Sequence, residues 1–204
     1  MDPTAALITG LAAGLAVAMQ VGAVSLLLVE TAVARGTRVG VAAGMGVATV
    51  DLLFAAAAAV AGATAGAVLS EHETEIRLVA AATLGAIAIH GLLSLRGASA
   101  EAAEDPAAAA GPRAHYARFF AITLVNPLTI ASFAAVATSL PLGAPSAAAA
   151  FAAGVGVGSA GWHLILTVAA GHAGRWVTPK IQKGLAFGGR IVVLMLAAHL
   201  ALGG

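Results

Sequence analysis

The chain has 204 residues, of which 60% are apolar and only 9% charged, with a mean hydropathy of +0.98 and a formal net charge of +1. A soluble domain carries about 25% charged residues, so a soluble globular fold is excluded and the chain reads as an integral membrane protein. There is no cysteine, which removes disulfides, thiolate metal sites and thiol relays from consideration.

Crossing a bilayer core of about 30 Å as a helix takes roughly 20 apolar residues. Stretches of that length run approximately from Thr4 to Val29, Val39 to Leu69, Ile76 to Leu95, Ala117 to Leu140, Ala147 to Gly171 and Leu185 to Leu202. They predict an all-α membrane protein of six transmembrane helices. Only Asp2 precedes the first stretch, which lacks the basic flank of a cleavable signal and is expected to stay in the mature protein. Near its middle stands Gln20-Val21-Gly22-Ala23, a polar amide beside a flexible glycine. Alone, Gln20 reads as an interhelical hydrogen-bonding residue. Opposite a second break it becomes one wall of a site.

The second stretch opens on Ala42 to Val50, AAGMGVATV, and then reaches Asp51, the one acidic residue deep inside a predicted span. An intramembrane carboxyl group is a functional hypothesis by default. It can exchange a proton during transport or hold a cationic substrate; the alternative is a permanently protonated group bonded to a neighbouring helix. Residues 97–116 carry Glu101, Glu104, Asp105 and Pro106 among alanines and read as a cytoplasmic linker. They divide the chain into a first three-helix unit, 1–96, and a second, 117–204.

The fourth stretch contains Asn126-Pro127 about nine residues from its start, roughly 14 Å at the helical rise and close to the midplane. Helix breakers at that depth are tolerated where they are buried or line a cavity. The pair is either a kink whose Asn satisfies the freed carbonyl or a ligand-binding break. In the fifth stretch, Ala152 to Ala160 reads AAGVGVGSA and matches Ala42 to Val50 at five of nine positions. Trp162-His163 follows this second copy at nearly the place of Asp51, and joins the candidate site. His90 and His199, in the third and sixth stretches, read as packing histidines.

Of the ten Lys and Arg, eight lie in the first, third and fifth loops: Arg35, Arg38, Arg96, Arg113, Arg118, Arg175, Lys180 and Lys183. Basic loops face the cytoplasm, so both termini are expected outside. With three helices per unit the second copy then enters the membrane in the opposite sense, which predicts two inverted three-helix repeats. Internal repeats are the usual footprint of a transporter. Glycines at four-residue spacing, Gly10 and Gly14, Gly62 and Gly66, Gly154 and Gly158, suit close helix packing or a homodimer through small-residue faces.

These features together resemble the LysE-type exporters of prokaryotes, small six-segment proteins that move amino acids or, in relatives, metal ions out of the cytoplasm. The resemblance covers nearly the whole chain. It is carried by the glycine break at Gly22, the loop Ala34-Arg35-Gly36-Thr37-Arg38-Val39-Gly40, the run from Gly44 to Asp51, and the run from Phe119-Phe120 to Asn126-Pro127. The family's Pro-Gly-Pro is here Val21-Gly22-Ala23, and the Lys that often follows Asn-Pro is here Leu128, which marks a divergent member. By position the resemblance implies roles for Gly22, Asp51, Asn126 and Pro127.

The expected protein is thus a secondary exporter of a small solute, most simply an amino acid, in a prokaryotic cytoplasmic membrane. Substrate binding is expected at Gln20, Gly22, Asn126, Pro127, Trp162 and His163, and ion coupling at Asp51. With no P-loop in the chain, energy is expected from an ion gradient. Export of a divalent metal through Asp51, His163 and carbonyl oxygens is the alternative within transport, and a non-transporting membrane scaffold the alternative outside it. No paired carboxylates, Ser-His pair or HExxH points to an enzyme. No cofactor and no nucleic-acid partner is called for; the expected partners are the solute and the lipid bilayer.

Overall fold

The computed structural model describes residues 1–20, 22–72, 111–126, 129–133 and 144–176, with individual positions at 136, between 74 and 93 and between 178 and 202; at 61–71 and 175 only the backbone is described. Every described element is helical: α1 (Pro3–Ala18), α2 (Ala23–Arg35), α3 (Thr37–Glu71), α4 (Pro112–Leu124), α5 (Pro145–Ala173) and a 3₁₀ turn (Gly174–Trp176). The 24 residues Thr37–Val60 and the 29 of α5 are each long and apolar enough to cross a membrane, and α1 with α2 qualifies as a third, broken span. His90, His199, Pro127 and the linker residues 97–110 lie outside the described residues.

The first predicted span is two helices. Asp2 starts α1 by accepting from the N–H groups of Thr4 and Ala5 (3.1 and 3.2 Å), with Pro3 at the first helical position. The helix tightens at its end, where Gln20 N–H reaches back only to the Val17 carbonyl (3.2 Å). α2 then sets off from Gly22 at 77° to α1. The backbone of Gly22 is extended, a conformation open to any residue. What glycine contributes here is the absence of a side chain over the start of α2. At the other end, Gly36 takes φ +84°, which lets the chain turn within one residue into α3.

Helix is also interrupted in the fourth span, at Val125 and Asn126. α4 begins at Pro112, ahead of the expected Ala117, and ends at Leu124. Asn126 N–H bonds to the Thr123 carbonyl (3.0 Å), and Ile130 N–H to the Asn126 carbonyl (3.0 Å) as helix resumes at 129–133.

α3 and α5 form the centre. Thr37 faces Gly171, Gly44 faces His163, and Leu52 faces Gly156, so the two helices run antiparallel. α1 lies along α5 in the same direction, Gly10 against Phe151 and Gly14 against Val155. A Cβ at any of Gly10, Gly14, Gly154 or Gly158 would collide with backbone atoms of the facing helix. The two glycine stripes therefore meet each other inside the chain. α4 lies against α3 by the same device, Gly46 admitting the backbone of Tyr116 and Phe120. Lipid gives no hydrophobic drive for helices to associate, so this close van der Waals approach holds them together. Phe151, Val155 and Ala6 build one buried cluster; Leu28, Val47 and Phe119 build another. Val60, Val157 and Ile165 are exposed, as a lipid-facing surface requires.

Candidate functional site

The two helix breaks and the central helix pair enclose one cavity. Gln20, Gly22, Val24 and Ser25 line it from the first break, Thr123, Asn126 and Thr129 from the second, and Val47, Asp51 and His163 from α3 and α5. Five of the seven residues expected at the site, Gln20, Gly22, Asp51, Asn126 and His163, are brought together. Pro127 is outside the described residues. Trp162 is half-buried and does not line this cavity. Adjacent helical residues point about 100° apart, so a wall built by His163 leaves its neighbour on another face.

Asp51 is 2% exposed and accepts a hydrogen bond from the Ser159 hydroxyl at 2.6 Å. His163, also 2% exposed, places Nδ1 2.8 Å from the Ser159 carbonyl and 3.2 Å from the Ser159 hydroxyl oxygen. A carbonyl only accepts, so Nδ1 carries the proton and Nε2 is the ring position left to gain one. A carboxyl group, a hydroxyl and an imidazole are thereby linked across the α3–α5 contact. Thr167 completes the row on α5 by donating to the His163 carbonyl at 2.7 Å.

The breaks carry their own bonds. Asn126 Nδ2 donates to Thr129 Oγ1 (2.9 Å), and Ser25 Oγ donates to the Gln20 carbonyl (3.1 Å). Ser132, just beyond the second break, donates to Gln20 Oε1 (3.2 Å). Gln20 thus joins one broken helix to the other. The cavity has a volume of about 30 Å³, room for roughly two waters.

Ser159, Thr123, Thr129 and Ser25 are the lining or supporting residues that the sequence reading passed over. Their signals are faint but physical. Ser159 is the eighth residue of the second repeat copy, as Thr49 is of the first. Thr123 and Thr129 stand three residues either side of Asn126, the spacing that shares a helix face.

A polar cavity at two helix breaks inside an apolar bundle is the architecture of a solute carrier. A family model for the LysE type translocator matches residues 15–204. The chain belongs to the LysE type translocator family. Both breaks, both repeat copies and every cavity residue of this translocator fall inside the match. Searches of the curated proteins and of the solved structures return no match. The family and the membrane-spanning helices make it a multi-pass membrane transporter of small solutes.

Proposed function

We propose that this translocator is a secondary exporter of an amino acid, driven by an ion gradient, with its site in the cavity between the two broken helices. The observation that carries this reading is the pairing of Asp51 with amides and hydroxyls at two helix breaks. Among the described lining residues the polar groups are one carboxyl, one imidazole, the amides of Gln20 and Asn126 and the hydroxyls of Ser25, Thr123 and Thr129, beside the apolar Val17, Ala18, Val24 and Val47. A zwitterion matches such a set, its ammonium toward Asp51. A divalent metal draws instead on several convergent charged or imidazole ligands, and among the described residues no three His, Asp or Glu converge.

Six spans in two inverted halves are the accompanying topology, with both termini outside a prokaryotic cytoplasmic membrane. The packing supports inversion in a specific way. The helices that carry the two repeat copies cross antiparallel, and each packs against the first half-helix of the other unit: α5 against α1, α3 against α4. A two-fold axis in the membrane plane exchanges those contacts. Alternating access then follows from rocking one unit against the other, which pulls on the Asp51–Ser159 bond between them. Ion coupling is assigned to Asp51, whose binding of a proton or a cationic substrate excludes the other.

The test is efflux of a radiolabelled amino-acid panel from proteoliposomes, with and without an imposed proton gradient. Gradient-dependent efflux that Asp51→Asn lowers ~10–100-fold is the expected result. Metal-stimulated uptake with no amino-acid flux would replace this reading with metal export, and no flux of either kind would favour a scaffold.

A further inference from the structure

Among the described residues, nothing accepts from the first N–H groups of α2. Its first intrahelical bond runs from Leu26 N–H to the Gly22 carbonyl (3.1 Å), so the N–H groups of Ala23, Val24 and Ser25 have no helical acceptor. Gly22 provides no capping side chain, and the Ser25 hydroxyl turns away to the Gln20 carbonyl. Most helix starts in a membrane protein reach water or a cap. This one, through Gly22, Val24 and Ser25, forms part of the cavity wall.

A second and independent observation comes from α4. Thr123 lines the same cavity, is 1% exposed, and among the described residues its Oγ1 has no hydrogen-bond partner. Buried hydroxyls without a partner are uncommon and call for an explanation. The carboxyl group of Asp51 is engaged by Ser159 on α5, which leaves the donors on the other wall unmatched. Two sets of unmatched donors, one at the positive end of a half-helix dipole, call for an anionic acceptor with several lone pairs.

We propose that the N-terminus of α2 and the Thr123 hydroxyl form the subsite for the substrate's carboxylate. The subsite rests on the amino-acid reading and orients the substrate within it: the carboxylate lies between α2 and α4, and the ammonium faces Asp51. A carboxylate accepts up to about four hydrogen bonds, enough for the Thr123 hydroxyl and the first N–H groups of α2 together. The neutral amide of the same solute offers one acceptor oxygen, and the decarboxylated amine offers none. Recognition therefore discriminates by the carboxylate, not by the side chain.

The experiment measures competition by an amino acid, its α-amide and its decarboxylated amine against labelled amino-acid counterflow, using full-length protein in proteoliposomes. The wild type is expected to bind the amino acid at least about tenfold better than either analogue, the scale of a hydrogen bond to a charged group. Thr123→Val should weaken the amino acid about tenfold, leave the amide and amine unchanged, and be rescued by Thr123→Ser. Ala23→Pro removes one N–H at the first helical position, where proline is tolerated after an extended residue, and should act in the same direction. Equal competition by acid and amide in the wild type overturns the carboxylate subsite while leaving amino-acid export standing. A Thr123→Val effect that is the same for all three competitors also overturns it. Absence of any amino-acid flux in the wild type overturns the functional reading itself, and the subsite with it.

Discussion

The two copies of the repeated segment share five of nine residues, yet the structure gives their last hydroxyl opposite duties. In the first copy Thr49 is a structural latch: it donates to the Met45 carbonyl (2.8 Å) on its own helix and accepts from the Tyr116 hydroxyl (2.9 Å) on α4. In the second, the equivalent Ser159 donates to Asp51 and lies against the His163 ring. Thr49 sits on the α4 side of α3, and Ser159 sits where α5 meets α3. One ties a half-helix down, and the other joins the titratable groups across the crossing. The residues that the copies share serve helix packing, and the two hydroxyls differ in which polar groups they engage.

The largest effect should come from attacking the scaffolding that the copies share. Gly154→Val drives a side chain into the backbone of Leu7 and Leu11, which cannot yield as a flexible side chain would. Overpacking costs about 1–3 kcal/mol where neighbours can adjust, so here the folded bundle should be lost, read as collapse of the monodisperse peak in detergent. Gly161→Ala, which meets nothing within 4 Å, should leave that peak intact.

Asp51→Asn comes next. The amide keeps an acceptor for Ser159 but not the charge, and a hydrogen bond to a charged group is worth about 1.5–3 kcal/mol. Transport should fall ~10–100-fold with folding retained. Undiminished, gradient-dependent flux in this variant would remove Asp51 from the mechanism.

The sharpest comparison is Ser159→Ala beside Thr49→Ala. The first should lower transport by about tenfold, because Asp51 and His163 lose their common partner. The second should leave transport nearly unchanged and lower thermal stability by about 0.6 kcal/mol, the average for a hydrogen bond between membrane helices. Equal transport losses would show that the two hydroxyls do one job. Asp2→Ala should have the smallest effect, up to about 1 kcal/mol on the start of an exposed helix and none on flux. Amide exchange at Thr4 and Ala5 would register it.

Several residues that line the cavity could be named before the fold was known, because the membrane makes certain residues conspicuous. Asp51, Gln20 and the Asn126 break stand out in apolar surroundings where polar groups are costly, and all three line one cavity. Hydroxyls are quieter. Thr and Ser satisfy themselves on a helix's own carbonyls, as Thr49 and Thr167 do, so Ser159 and Thr123 gave no signal of depth or partner. Trp162 was placed in the site by its adjacency to His163, and the helical turn carried it elsewhere.

Composition and hydropathy alone determined that the chain is helical and lies in a membrane, since continuous apolar runs of about 20 residues span lipid as helices, whereas barrel strands are about half as long and alternate. Spacing alone located the breaks and the repeat. What only the tertiary structure decided is which breaks meet, that the glycine stripes of α1 and α5 face each other, and that Ser159 bridges Asp51 to His163. Those facts depend on the rotation of each helix about its own axis. That rotation is fixed by close backbone approach between segments more than 100 residues apart, and a local sequence pattern does not contain it.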